Sequence, residues 1–151
     1  MRPDERLSSS LEDYLETILA VVQEKKAARV KDIVSRMQVK ASSVTGALRL
    51  LTDRGLINYA PYDLITLTEK GEQIARDVTR RHEILRSFFE KILKVDPREA
   101  DDGACKLEHA ISPALLDRLI KFISFIEQCP RGGEQWMQEF SRFCEQGVLR
   151  D

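Results

Sequence analysis

Nowhere among these 151 residues is there an apolar run long enough to cross a membrane; the longest aliphatic stretch, Ile18 to Val22, is far below the roughly 20 residues a spanning helix needs. The opening Met1 to Ser10 is charged and then serine-rich and lacks the apolar core of a secretory signal, so a cytoplasmic location is expected. Cysteine is scarce and odd in number. Cys105, Cys129 and Cys144 in a chain without an export signal argue against a disulfide framework, and Cys129 and Cys144 are expected to be small buried apolar residues. No internal repeat or low-complexity segment is evident. At 151 residues, with 42% hydrophobic and 32% charged side chains, the chain suits one or two small globular domains and leaves no room for a large multidomain enzyme.

A net charge is also missing, at −1 overall, but the balance is uneven along the chain. Between Lys25 and Arg54, eight basic residues face only Asp32 and Asp53, a net of +6. From Pro97 onward, seven basic residues face ten acidic ones, a net of −3. A basic N-terminal module can attract phosphates even when the whole chain is nearly neutral.

The apolar spacing gives a mostly α chain. A Ser9-x-x-Glu12 capping box and the stripe Leu11, Tyr14, Leu15, Ile18, Val22 predict a helix over about 10–24. Val30, Ile33, Val34 and Met37 predict a second, short one, and after a polar break at 38–41 Val44, Ala47, Leu48 and Leu51 predict a third over 42–53, ending near Gly55. Two short helices joined by a tight turn make a helix-turn-helix. Leu56 to Tyr59 and Leu64 to Leu67 then read as a small β-hairpin, the wing of a winged helix, with its tip near Pro61. Helical periodicity returns over 69–93 and again over 98–111. Ser112-Pro113 starts a helix running to about Gln128, Cys129-Pro-Arg-Gly-Gly stops it, and Trp136, Phe140 and Phe143 give a last helix its apolar face.

A helix entering the major groove needs small or polar side chains near its N-terminus, and Ser42, Ser43, Thr45, Gly46 and Arg49 fit. Lys31, Arg36, Lys40 and Arg54 are placed to hold phosphates, which position the module without reading sequence. The bland alternative is a solvated bundle whose charges serve solubility; the basic excess, the short turn and the hairpin together favour duplex DNA.

A second constellation lies in the C-terminal half. At 100° per residue, Cys105, Glu108 and His109 share a sector, with Ala104, Leu107 and Ile111 expected on the opposite, core-facing side. A thiolate, a carboxylate and an imidazole so placed offer three kinds of donor to a transition metal. Taken alone, the trio is read more readily as a buried cysteine beside a salt-bridging pair. Asp13 and Glu16 share a helix face and are equally read as acids favouring a helix N-terminus; His82 sits at the border of an apolar face.

Several runs together carry a resemblance: Leu11-Glu-Asp-Tyr-Leu-Glu-Thr-Ile, Ala41-Ser-Ser-Val-Thr, Leu67-Thr-Glu-Lys-Gly, Arg81-His-Glu and Cys105-Lys-Leu-Glu-His-Ala-Ile-Ser. In order and spacing, over residues 8 to 128, the chain resembles the diphtheria toxin repressor family of metal-dependent transcriptional regulators. It looks most like the two-domain manganese sensors, since it ends without the SH3-like third domain of the longer iron sensors. The resemblance implies a winged-helix DNA-binding domain over 1–70, a linker helix over 71–94, an all-helical metal-binding and dimerisation domain over 95–151, and a homodimer on a palindromic DNA operator. It also implies Mn(II) or Fe(II) as corepressor, control of metal-homeostasis genes and no enzymatic activity.

The metal ligands implied are Asp13, Glu16, His82, Glu108 and His109, with Cys105 a departure. Manganese sensors usually carry glutamate there, whereas the iron sensors carry cysteine but generally have methionine in place of Asp13. The iron sensors' ancillary glutamate and histidine correspond to Arg86 and Asp101, which argues against a conventional second site. Two other readings use the same residues: a small metalloenzyme with an open coordination position, which lacks an evident extra general base, and a thiol-based redox regulator sensing through Cys105.

Overall fold

The computed structural model describes residues 7–60, 62, 64–129 and 133–147. In chain order they form α1 (Ser9–Lys25), α2 (Val30–Met37), α3 (Ala41–Asp53), β1 (Ile57–Asn58), β2 (Thr66–Leu67), α4 (Glu69–Ser87), α5 (Pro97–Leu107), α6 (Pro113–Gln128) and α7 (Gly133–Gln146). The chain divides into two compact units between Thr79 and Arg80, inside α4. No helix among the described residues is long and apolar enough to cross a membrane.

In the first unit the cap of α1 is Ser8, one residue before the Ser9 expected from the capping box. Ser8 keeps an extended backbone, and its Oγ accepts from the Leu11 N–H at 3.3 Å. The apolar stripe of α1 packs on Ile33 of α2 and on Val44, Ala47, Leu48 and Leu51 of α3. Each large aliphatic side chain so buried stabilises the unit by roughly 1.5–3 kcal/mol. Gln38, left-handed at φ 54°, ends α2, and Lys40 in extended conformation begins α3, so the turn between the two helices is only three residues long.

The hairpin is shorter than its sequence suggests. Ile57 pairs with Leu67 and Asn58 with Thr66, but the Ile65 backbone exchanges its two hydrogen bonds with Ala28, before α2, at 2.8 and 3.0 Å. The second strand is thus shared between the wing and the α1–α2 connection. Pro61 lies outside the described residues. After β2, Thr68 caps α4: its Oγ1 accepts from the Gly71 N–H at 3.1 Å and donates to the Gly55 carbonyl at 2.8 Å.

Asp32 holds the start of α2. Its carboxylate accepts from Lys25 Nζ at 2.7 Å and from the Arg29 N–H at 3.0 Å. The Lys25 hydrogen bond, aided by the Arg29 backbone and the Lys25 and Lys31 charges, outweighs partial desolvation and lowers the carboxyl below its usual range. A lowered folded-state value contributes stability that is complete above the unfolded value, about pH 4, and is lost as pH falls through the folded one. Acid unfolding of Asp32→Asn should therefore depend less steeply on pH below about 4 than that of the unsubstituted chain. Superimposable acid limbs would deny the carboxylate this role.

In the second unit, the single helix expected over 69–93 changes character at its end. Phe88–Ile92 is a π-helical turn, with the Leu93 N–H reaching back to the Phe88 carbonyl at 3.1 Å. Gly103 of α5 sits against it, since a Cβ there would lie 3.4 Å from the Phe89 ring. The Phe88 ring also meets Phe122 of α6 edge-on, centroids 6.3 Å apart.

The inward face of α5 overturns one expectation. The periodicity puts Leu107 on the core side and turns Glu108 away from it, whereas Leu107 is 45% exposed and Glu108 is fully buried. The buried positions are Ala100, Ala104 and Glu108, spaced i, i+4, i+8. The helix also stops at Leu107 instead of continuing to Ile111, because the Ala110 and Ile111 N–H groups both turn back to the Leu107 carbonyl.

The helix α6 starts as expected, Ser112 Oγ accepting from the Leu115 N–H at 3.3 Å with Pro113 in the first turn. The expected apolar face of α7 is present but not buried: no residue of α7 is buried, and Trp136 stacks on Phe140 at 6.4 Å while remaining 41% exposed. The cysteines depart from expectation too, with Cys129 half-buried and Cys105 and Cys144 exposed.

Candidate functional site

Residues from two helices of the second unit converge on the buried Glu108. It follows the last turn of α5 with a still helical backbone, and its N–H donates to the Ala104 carbonyl at 2.9 Å, so the side chain continues the inward row of Ala100 and Ala104. One carboxylate oxygen, Oε2, lies 2.7 Å from His82 Nδ1 of α4; the other, Oε1, faces His109 Nε2 at 3.2 Å. The two imidazoles are themselves mostly covered, 20% and 13% exposed. A fully buried carboxylate demands compensating positive charge. Imidazole nitrogens arranged about it are good donors for a first-row divalent cation, so this donor set fits a metal.

Behind His82 stands Asp101, whose Oδ1 lies 3.0 Å from His82 Nε2. A carboxylate on the second ring nitrogen fixes the ring's orientation, the arrangement that commonly supports metal-binding histidines. The Arg86 Nε lies 3.7 Å from that same Asp101 oxygen and 3.7 Å from Glu90. The two positions corresponding to an ancillary metal site therefore pair with each other. A guanidinium already compensates Asp101, which disfavours a second cation there. The sequence offers Asp101 at the ancillary position and, with Asp102, as the nearest substitute ligand should Cys105 not bind; its seven-residue spacing from Glu108 is the signal that it shares the same helix face.

Of the six sequence-derived ligands, the second unit thus brings together His82, Glu108 and His109. Cys105 lies one turn before Glu108 and is exposed. Asp13 and Glu16 belong to the first unit, half-buried and one turn apart on α1.

The first unit presents the other site. On α3, Ser42, Ser43, Gly46 and Arg49 are exposed, as are Lys40 before it, Arg54 at its end and Lys31 on α2. Thr45 is half-buried, with its hydroxyl donated to the Ala41 carbonyl at 3.0 Å. Arg36 is exposed but engaged with Glu24. A groove of about 630 Å³ runs along this surface, lined among others by Arg29, Lys31, Thr45, Arg49, Tyr59 and Tyr62. Arg29 and the two tyrosines were not among the sequence-derived contacts. Arg29 is visible in the sequence only within the basic run, and Tyr59 and Tyr62 only as the end of the first hairpin strand and part of its turn.

Known proteins share both sites' domains. Residues 6–64 match the family model described as "Iron dependent repressor, N-terminal DNA binding domain", and residues 68–137 match "Iron dependent repressor, metal binding and dimerisation domain". A helix-turn-helix transcriptional regulator of Methanocaldococcus jannaschii is 37% identical over 118 residues, 78% of this chain and 94% of that protein. The transcriptional regulator MntR of Bacillus pumilus is 35% identical over 119 residues, 79% of this chain and 82% of that one. A solved manganese-dependent transcriptional repressor in complex with manganese is 32% identical with a TM-score of 0.68; the match covers 76% of this chain, which spans 53% of the solved one. With a DNA-binding domain followed by a metal-binding and dimerisation domain, the chain belongs to the iron-dependent repressor family of metal-dependent transcriptional regulators, the diphtheria toxin repressor family.

Proposed function

We propose that this chain is a repressor of metal-homeostasis genes whose duplex binding is switched on by Mn(II) or Fe(II) held by Asp13, Glu16, His82, Cys105, Glu108 and His109. The observation that carries the reading is the buried Glu108 carboxylate flanked by His82 and His109. When bound, the divalent cation supplies the positive charge that such a carboxylate-rich set requires. Asp13 and Glu16 come from the DNA-binding unit, His82 from α4, and Cys105, Glu108 and His109 from the dimerisation unit. A ligand set drawn from both units couples the orientation of α3 to metal availability. Exposed Leu107, Leu115, Phe122, Phe125, Trp136 and Phe143 supply apolar surface for the homodimer. Two α3 helices held at a set spacing by that dimer suit a palindromic operator.

Metal choice turns on Cys105. A thiolate draws the site toward later first-row metals, while Asp13, Glu16 and Glu108 are hard donors that accept Mn(II). Five of the six positions match the manganese sensors, which favours Mn(II).

The test is duplex binding by the full chain, with a site selected from a random pool, in Mn(II), in Fe(II) under reductant and in excess chelator. Tight, salt-sensitive binding is expected in metal alone. Equal affinity in chelator would end the corepressor reading. With Co(II) the unsubstituted chain should show a sulfur-to-metal charge-transfer band that Cys105→Ser lacks; no band at saturation would remove Cys105 from the ligand set.

A further inference from the structure

The exposed face of α3 is centred on a glycine that nothing inside the chain requires. Counting 100° per residue from Gly46, Ser42 and Leu50 lie about 40° to either side, and Arg49 and Ser43 about 60°. All four are exposed, Leu50 to 52%. Glycine in a helix interior is destabilising relative to alanine, and is normally explained by a positive φ or by a close neighbour. Gly55 has the first, with φ 67°, and Gly71 the second, since a Cβ there would lie 1.8 Å from the Leu56 carbonyl oxygen. Gly46 has neither: it lies within the regular helix, without a positive φ, and a Cβ would meet nothing within 4 Å.

The remaining physical reason for a glycine is close approach by something outside the chain. The surface concerned belongs to the DNA-binding domain, so the approaching partner is duplex DNA. Leu50, one turn further along the same face, is an apolar side chain held in water. In the major groove the apolar feature that a base pair presents is the thymine 5-methyl group. We propose that Gly46 is the point where the α3 backbone comes directly against base-pair edges, and that Leu50 beside it packs on a thymine methyl. The proposal rests on α3 being the recognition helix, and it adds a position that reads sequence by the absence of a side chain.

Restoring a methyl group at Gly46 should move stability and binding in opposite directions. In the full chain with Mn(II), Gly46→Ala should raise the Tm by about 3 °C, because alanine favours the helix. It should also weaken binding to a duplex selected by the unsubstituted protein by about 10-fold or more, a steric cost on the scale of a lost base contact. Affinity for random-sequence duplex should stay unchanged. The selected duplex resynthesised with uracil for thymine should bind more weakly to the unsubstituted protein and without further loss to Leu50→Ala. Undiminished selected-site binding by Gly46→Ala, or indifference of the unsubstituted protein to uracil, overturns the proposal while leaving α3 as recognition helix. Failure to enrich any duplex overturns both.

Discussion

Glu108→Gln should leave the chain folded and abolish metal-activated DNA binding. The substitution preserves the side chain's shape within a fully buried position, and the amide oxygen still accepts a hydrogen bond, so little packing is lost. What disappears is the negative charge between His82 and His109. A neutral amide is a poor donor to a divalent cation, and metal affinity should fall by about 100-fold or more, beyond the loss typical of an outer-shell partner. In the metal-free chain the same change removes the carboxylate's burial cost together with its attraction to the two imidazoles, which can shed their protons instead of being left as unpaired charges, so the net change in stability should be small. Calorimetric Mn(II) titration and thermal unfolding together check both halves. Unaltered metal affinity would mean that Glu108 is only a structural acid. Glu108→Ala is the poorer probe, because the cavity it opens costs about 2 kcal/mol and confounds the two effects.

That contrast shows where sequence reading stops. Apolar periodicity located α3 and its buried residues Val44, Ala47, Leu48 and Leu51, because in the first unit the hydrophobic core is what orders the helices. In α5 the same rule is right for Ala104, which is buried, and wrong for Leu107. Its inward row ends on a carboxylate, and Leu107 points outward, because a polar centre takes the place that a core would have and the apolar side chain is left for a partner surface. The apolar face of α7 was legible as a pattern, yet periodicity does not say whether a face is covered by its own chain. The hairpin's extent depended on a backbone bridge between Ala28 and Ile65, a long-range pairing that no local signal encodes. His82 and Asp101 are nineteen residues apart, and only the packing of α4 against α5 brings them within 3.0 Å.

Gly71 lies in the Leu67-Thr-Glu-Lys-Gly run, one of the segments that carried the family resemblance, and the structure gives its physical reason. Its Cα faces the backbone of Leu56, and an added Cβ would lie 1.8 Å from the carbonyl oxygen and 2.8 Å from the carbonyl carbon. Neither atom is the end of a flexible side chain, so the start of α4 must withdraw. That carbonyl accepts the Thr68 N–H at 3.0 Å, and Thr68 Oγ1 links the Gly71 N–H to the Gly55 carbonyl. Withdrawal of the helix therefore strains or breaks three hydrogen bonds where α4 joins the wing. Gly71→Ala should cost roughly 3 kcal/mol, combining overpacking with the loss of these bonds, and lower the Tm by about 10 °C or more. Alanine at Gly46, with open space around it, should do the reverse. Thermal unfolding of the two variants side by side checks the pair, and a Gly71→Ala Tm equal to that of the unsubstituted chain would show that α4 does not approach the Leu56 backbone this closely.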